Sequence, residues 1–268
     1  MQDDNTINIL AIGDIVGEPG RKIIKKHLKT LKEKLKIDFC IANGENAAGG
    51  AGLIPRICEE LFEYGINVIT GGDHIYDKKE LYPYLRENEY VLKPANFPEH
   101  SIGRGYTFFE TSKGIVASLH ICGRVFMKPI VNCPYTAFDK IYPLLNHITK
   151  YIVLDFHAEA TGEKVAFGYY VDGKVSLFFG THTHIPTADE KILPSGTGYI
   201  TDIGMTGPYH SVIGRQIEDV IYSFRTGLPK RFEVAERGVA LSSIFSKINL
   251  DTGKCVHIER ILIHDDDL

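Results

Sequence analysis

The sequence lacks the features that mark secreted, membrane-spanning and nucleic-acid-coating proteins. Its five cysteines contain no C-x-x-C spacing, so in a chain of 268 residues they indicate reduced thiols and no disulfide framework. A formal net charge of −4 provides no broad basic surface for DNA or RNA. No uncharged apolar run approaches the roughly 18 residues of a membrane span, and no signal peptide is visible. We therefore expect a cytoplasmic protein without a membrane or an extended nucleic acid as partner.

Repeats, low-complexity tracts and Pro/Ser-rich linkers are also missing, so nothing divides the chain. We expect residues 1–268 to form a single domain of the α/β class. The first 90 residues alternate between short apolar runs and segments with helical spacing, an order that predicts parallel strands joined by helices. The predicted strands lie at 7–13, 38–43 and 67–72, and the predicted helices at 18–36, 55–65 and 78–88.

The rest of the chain continues this pattern and then changes character. Further buried strands are predicted at 114–123, 151–156 and 174–180, and a short helix at 215–227. From about residue 190 the apolar segments at 198–204, 239–250 and 254–263 are interpreted as antiparallel strands. Residues 122–139 show neither the helical nor the strand periodicity of apolar residues. Such a segment is typical of a binding loop but also of a plain surface connection. The whole is interpreted as two sheets between helices.

Ligand-type side chains follow the predicted parallel strands, at the point where each strand ends. The carboxyl ends of such strands converge on one crevice, so these side chains are expected at one edge of the sheet. They are Asp14, Glu45 and Asn46, Asp73 and His74, His157, and His182 and His184. Each taken alone is also explained as a turn former, a helix cap or a hydrogen-bonded histidine.

The combination points to metal ions. Asp14, Glu45 and Asp73 together would carry three negative charges, which need cations if they are buried. Mixed carboxylate, amide and imidazole ligands suit Mn, Fe or Zn, and the absence of cysteine argues against a structural zinc site. Two adjacent metals clamp phosphoryl oxygens and activate water, while a nearby imidazole can protonate a departing alkoxide. This donor set therefore favours hydrolysis at phosphorus.

Six motifs make the chain resemble the calcineurin-like metallophosphoesterase superfamily, and within it the YmdB-type bacterial phosphodiesterases. The motifs are "GDIVGEPGR" (13–21), "NGENAAGGAGL" (43–53), "VITGGDHIYD" (68–77), "DFHAEATGEK" (155–164), "GTHTHIPTADE" (180–190) and "YITDIGMTGPYHSVIG" (199–214). The resemblance implies a four-layer α/β/β/α sandwich that holds two divalent or trivalent metal ions. Iron is the family's usual metal, with manganese or zinc as alternatives. The implied substrates are small phosphodiesters, including 2′,3′- and 3′,5′-cyclic AMP.

The resemblance also assigns roles to individual residues. It implies that Asp14, Asn46 and His184 hold the first metal, that Glu45 bridges both, and that Asp73, His157 and His182 hold the second. It implies that His74 is the proton donor. Two positions depart from the family pattern. Asp73 replaces the usual asparagine, which adds a negative charge and removes an amide donor. Val16 stands where many members have a histidine, so that Asn46 or water would take its place.

Several interpretations remain open at this point. The leading one is a phosphodiesterase; the alternative is a catalytically weakened, metal-binding regulatory module that binds nucleotide without turnover. A protein phosphatase ranks last, because no docking groove is evident. Arg124 and Arg215 are interpreted either as partners of a substrate phosphate or as members of surface salt bridges. His120 is expected to be structural, and the sequence leaves a homo-oligomer open.

Overall fold

The computed structural model of the protein describes residues 5–265, which contain fourteen strands and six helices. In chain order the strands are β1 (Thr6–Ile12), β2 (Asp14–Ile15), β3 (Phe39–Asn43), β4 (Val68–Thr70), β5 (Val91–Leu92), β6 (Tyr106–Thr111), β7 (Gly114–Cys122), β8 (Tyr151–His157), β9 (Leu177–Thr181), β10 (Lys191–Ile192), β11 (Gly198–Ile200), β12 (Met205–Pro208), β13 (Val239–Asn249) and β14 (Cys255–His264). The helices are α1 (Gly17–Leu35), α2 (Pro55–Glu63), α3 (Leu81–Glu87), α4 (Pro134–Ile148), α5 (Thr161–Tyr170) and α6 (Ile217–Thr226).

The strands form two sheets, each with a parallel centre. The first has the order β2-β12-β13-β1-β3-β4-β5, with β14 paired to β13. In it β1, β3, β4 and β5 are parallel, because α1, α2 and α3 connect them in turn. The second has the order β10-β11-β9-β8-β7-β6, and its strands β7, β8, β9 and β11 are parallel. The parallel strands predicted from the sequence are therefore present in both sheets.

Alternating side chains of the strands build three apolar layers. Ile7 and Ile9 of β1 pack between the two sheets, whereas Leu10 and Ile12 pack with α1 on the outer face. The second sheet repeats the arrangement, with Val153 of β8 in the central layer and its neighbours on the opposite face, against α4 and α5. The order of layers is thus helix, sheet, sheet, helix, which confirms the expected α/β/β/α sandwich of the metallophosphoesterase type.

Two local predictions were wrong. Residues 122–139 are not irregular throughout, because α4 begins at Pro134 and buries Phe138 and Leu145 against the second sheet. The apolar positions that reveal this helix continue to residue 145, so most of its helical period lies beyond residue 139. The strand predicted at 198–204 is shorter than expected, and β11 runs parallel to β9 while only β10 pairs with it in antiparallel register.

Two other expectations concern cysteines and membrane spans. All five cysteines are free, in line with the interpretation as reduced thiols. Within residues 5–265, no helix combines the length and the apolar composition that crossing a bilayer requires.

A matched pair of phenylalanines tests the layered core. Phe178 of β9 is fully buried and stacks on Tyr199 with ring centroids 5.1 Å apart, whereas Phe224 of α6 is 81 % exposed. We expect Phe178→Ala to lower the free energy of unfolding by about 3–5 kcal/mol, because it leaves a cavity. Phe224→Ala should change it by no more than about 0.5 kcal/mol. Urea denaturation at a fixed metal concentration measures both, and equal losses would contradict this description of the core.

Candidate metal centre

The ligand-type residues meet where the carboxyl ends of the two sheets face each other. After strands of the first sheet come Asp14, Glu45, Asn46, Asp73 and His74. From strands of the second sheet come His157, His182 and His184. We expected all these side chains at one edge of a single sheet, and this prediction was wrong. Three of the five strand ends belong to the first sheet and two to the second. The side chains converge because both sheets point their parallel strands toward the same crevice.

Along the inner faces of the strands, the side chains change from apolar to polar toward the carboxyl ends. On β8 the inward positions run from Val153 to Asp155 and His157, and on β3 from Ile41 to Asn43. The central layer is therefore apolar over most of its length and polar at the carboxyl ends. Thr70 of β4 donates a hydrogen bond to Asp155 Oδ2 (2.5 Å), which joins the two sheets directly below the site.

Two groups of ligand atoms overlap in this crevice. One oxygen or nitrogen from each of Glu45, Asp73, His157 and His182 lies within 4.8 Å of all the others. Asp14, Glu45 and His184 form a second group by the same distance. Glu45 is therefore the residue that the two groups share.

In the first of these groups the contacts are short. His157 Nε2 lies 3.0 Å from Glu45 Oε2 and 3.1 Å from Asp73 Oδ1. His182 Nδ1 lies 3.1 Å from the same His157 nitrogen. Two carboxylate oxygens and two imidazole nitrogens thus point at one small volume, which is the donor set that Mn, Fe and Zn accept.

The second group includes the amide predicted from the sequence. Asn46 Nδ2 lies 2.9 Å from Glu45 Oε1 and 3.1 Å from His184 Nε2. Asp14 is fully buried, and its carboxylate accepts the backbone N–H of His182 at 3.2 Å. This group therefore combines two carboxylates, one amide and one imidazole.

Hydrogen bonds on the far side of two rings determine which nitrogen faces the site. Thr181 donates its hydroxyl proton to Asp155 Oδ1 (2.7 Å), so its oxygen accepts from His157 Nδ1 at 2.9 Å. His184 Nδ1 donates to the carbonyl of Ile213 at 2.9 Å. In both rings Nδ1 is thereby occupied on the far side and Nε2 faces the cluster, which is how proteins orient metal-binding histidines.

Sequence reasoning missed the residues that support the ligands. Asp202 is buried, forms an ion pair with Lys164 (2.5 Å) and accepts the Thr183 hydroxyl at 2.8 Å, so it holds the turn between His182 and His184. Glu159 lies 3.2 Å from His182 Nε2. One signal was available for Asp155: it precedes His157 by two residues in a strand, and side chains two apart share a face.

Backbone strain concentrates around the same crevice. Five non-glycine residues between 5 and 265 have positive φ, and one of them, Lys36, ends helix α1. The other four line cavities beside the ligand groups: Phe126 (63°), His182 (101°), His184 (66°) and Ile213 (46°). Such conformations persist only where surrounding contacts impose them, and they cluster at functional sites.

The electrostatics of the cluster favour bound cations. Burial, together with the nearby Glu45 carboxylate, raises the pKa of Asp14 well above its usual range. Burial would also raise the pKa of Glu45, but the contact with His157 outweighs it and lowers that pKa. Burial would lower the pKa of His157, yet Glu45 and Asp73 raise it well above normal. A single imidazolium thus supports several buried carboxylates, and the residues present fit divalent metal ions.

His74 differs from the ligand candidates because it lies on the rim. Its side chain is 32 % exposed and lines the cavities on both sides of the cluster. His74 Nδ1 lies 2.8 Å from Asp77 Oδ2, which leaves Nε2 for a molecule in the crevice.

Other polar residues considered from the sequence have structural partners. Arg215 NH1 and NH2 donate to the carbonyls of Phe232 and Gly50, and Arg215 also lines the cavity that contains Glu45. His120 is fully buried and accepts the backbone N–H of Gly72 at 3.0 Å, as expected for a structural histidine. Val16 is buried where α1 begins, and it offers no ligand atom.

Comparison with known proteins identifies the family. A sequence model described as YmdB-like protein matches residues 10–261. The chain belongs to the YmdB-like family. It is 46 % identical over 262 residues to the 2′,3′-cyclic-nucleotide 2′-phosphodiesterase of Bacillus subtilis, covering 98 % of this chain and 99 % of the relative.

Solved structures agree with this family. A novel phosphatase from Mycoplasma pneumoniae superposes with a TM-score of 0.92 at 36 % identity, covering 98 % of this chain and 95 % of that one. A hypothetical protein from Thermus thermophilus superposes with a TM-score of 0.90 at 37 % identity, covering 96 % and 99 %. The YmdB-like chain therefore shares its fold with these proteins over nearly its full length.

Gly72 allows a test of the metal centre in which no ligand residue is itself substituted. It has a φ of 51°, and a methyl group there would overlap the Glu45 carboxylate. We expect Gly72→Ala to displace Glu45 and to lower the number of Mn²⁺ equivalents bound per chain relative to wild type, measured by elemental analysis after gel filtration. Gly162→Ala is the control, because a methyl group there meets nothing within 4 Å. Full metal content in Gly72→Ala would contradict a central position of Glu45.

Proposed function

We propose that this YmdB-like chain is a single-domain, metal-dependent phosphodiesterase for cyclic nucleotides or similar small diesters. The observation that carries the proposal is the pair of ligand groups that share Glu45. The Bacillus subtilis relative is named for 2′,3′-cyclic nucleotides, which makes 2′,3′-cyclic AMP the first substrate to test and 3′,5′-cyclic AMP the second.

Two metal ions would occupy the two groups. Asp14, Asn46 and His184 would hold the first, Asp73, His157 and His182 the second, and Glu45 would bridge them. Iron is the first candidate, with manganese or zinc as alternatives, because all three accept mixed oxygen and nitrogen ligands. When bound, the two ions supply Lewis acidity toward the phosphoryl oxygens and lower the pKa of water.

The residues of the chain supply orientation and a proton. Asp14, Glu45 and His157 are at most 1 % exposed, so the charges that face the substrate act in a site from which bulk water is excluded. When His74 is protonated, its Nδ1–H donates to Asp77 Oδ2, and its Nε2–H is free to protonate the departing ribose oxygen. The imidazole is then neutral, with its remaining proton on Nδ1 toward Asp77.

The proposal includes a small-molecule partner and a cytoplasmic location. Neither a membrane nor a nucleic acid polymer takes part in it, and a homo-oligomer is compatible with it. Purified protein supplied with Mn²⁺ or Fe²⁺ should convert 2′,3′-cyclic AMP to adenosine 3′-phosphate and release 4-nitrophenolate from bis(4-nitrophenyl) phosphate. Absence of turnover with every metal would overturn the proposal.

Two substrates with different leaving groups distinguish proton donation by His74 from phosphate binding by the same residue. We expect His74→Ala to lower kcat for 2′,3′-cyclic AMP by about 10²–10⁴-fold, because the alkoxide must leave protonated. The decrease for bis(4-nitrophenyl) phosphate should be much smaller, since 4-nitrophenolate leaves without a proton. His147→Ala, at an exposed histidine of α4, is the control and should leave both rates unchanged. Equal decreases for both substrates would exclude proton donation.

Asp73 decides between the enzyme and the regulatory alternative. Its carboxylate adds a negative charge to the cluster beside Glu45 and His157, in a position where the family usually has asparagine. We expect wild-type turnover, and we expect Asp73→Asn to weaken Mn²⁺ binding at the second group because one ligand charge is lost. Calorimetry of Mn²⁺ and of nucleotide beside a product assay measures both. Nucleotide binding without turnover, combined with activity restored by Asp73→Asn, would instead favour the regulatory module.

A further inference from the structure

One loop beside the metal centre has no part in the function described above. We name residues 123–132, between β7 and α4, the Phe126 loop. It lines a cavity of about 430 Å³ that residues of the ligand cluster also line. The cavity is lined by Phe126, Met127 and Lys128 from the loop and by Asp73, His74 and His182 from the site, with Glu159 at its edge.

Both ends of the Phe126 loop are fastened to one buried side chain. The Asn96 amide is 1 % exposed and donates to the carbonyls of Cys122 (2.7 Å) and Asn132 (3.0 Å). Its carbonyl oxygen accepts the backbone N–H of Cys122 at 2.9 Å. The start and the end of the loop therefore have a defined separation.

Contacts between these ends hold the backbone of the loop in place. The Glu163 carboxylate accepts the backbone N–H groups of Arg124 (2.9 Å) and Val125 (3.1 Å). The Met127 side chain packs against the first apolar core. The backbone is thus fixed on both sides of Phe126.

Phe126 itself does not contribute to packing. Its side chain is 84 % exposed and its φ is 63°, a left-handed conformation that is uncommon for a bulky residue. The loop therefore keeps an aromatic ring out of the core and beside the cavity. The cavity on the other side of the cluster contains Phe232, but that residue is half-buried and its carbonyl is occupied by Arg215.

We propose that Phe126 is a stacking platform for the base of a nucleotide whose phosphate lies at the metal centre. This inference rests on the proposed function and extends it to the recognition of the organic part of the substrate. A flat aromatic ring binds the π-face of any base, so the site would prefer nucleoside diesters over aliphatic ones and would tolerate different bases. Lys128 and Glu159, a hydrogen-bond donor and an acceptor, line the same cavity.

Two cyclic diesters with and without a base test the platform. We compare kcat/KM for adenosine 2′,3′-cyclic phosphate with kcat/KM for glycerol 1,2-cyclic phosphate, which carries the same five-membered ring. Phe126→Ala should lower the ratio of these two values about tenfold, and uridine 2′,3′-cyclic phosphate should follow adenosine. Phe126→Tyr, which keeps an aromatic face, should retain the ratio. Phe224→Ala, at an equally exposed phenylalanine of α6, should leave it unchanged.

Binding of the product adenosine 3′-phosphate to the Mn²⁺-loaded protein gives a readout that does not depend on turnover. Calorimetry should show its Kd raised about tenfold in Phe126→Ala and unchanged in Phe224→Ala. A wild-type protein that hydrolyses neither cyclic diester would defeat the proposed function, and this Kd comparison would then decide the platform alone. An unchanged substrate ratio in an active Phe126→Ala enzyme, or an unchanged Kd, would overturn the platform.

Discussion

The carboxylate of Glu45 is the constraint around which the rest of the site is arranged. It is buried, belongs to both ligand groups, and lies 3.0 Å from His157 Nε2. A buried carboxylate needs positive charge, and two more carboxylates in contact with the same groups increase that need. His157 alone cannot neutralise three acids. The folded arrangement is therefore stable only if neighbouring cations or protons compensate the negative charge of these carboxylates.

Supporting contacts determine the directions of the ligands. Asp155 and Thr181 orient His157, the Ile213 carbonyl orients His184, and Asp202 holds the turn that separates His182 from His184. The two histidines of this turn have positive φ, a conformation that costs free energy and that these hydrogen bonds impose. Each ring is thereby restricted to one useful orientation, which reduces the entropy that would be lost on metal binding.

The site has a rigid floor and a more open rim. Its floor consists of buried strand ends, whereas His74, Glu159 and Phe126 are partly or largely exposed around the crevice. The charged groups lie in the floor, where the low dielectric constant strengthens their electrostatic interactions. In the proposed reaction, proton transfer to the leaving group and contact with its organic part would take place at the rim, which a substrate can reach. Two cavities, which share His74, Glu159 and His182, adjoin the cluster.

The sequence by itself determined the type of fold and the identity of the clustered residues. The alternation of apolar runs with helical segments specifies parallel strands, and ligand-type residues after five of them specify a shared crevice, because both patterns depend on local geometry alone. Helix α4 was missed, since its apolar period extends past the irregular segment before it. The parallel pairing of β11 was missed because strand direction depends on long-range partners.

Only the tertiary structure decided how the cluster is divided and supported. No local pattern shows that Asp73 and His157 come from different sheets, or that Glu45 lies in both ligand groups. Asp202 and Lys164 are separated by 38 residues, and their pairing exists only after the second sheet has formed. The hydrogen bonds of Arg215 to backbone carbonyls, and the exposure of Phe126, likewise follow from which surfaces the layers cover. Packing between segments that are distant in the sequence determines these features. Such packing produces no periodic pattern of residues from which it could be predicted.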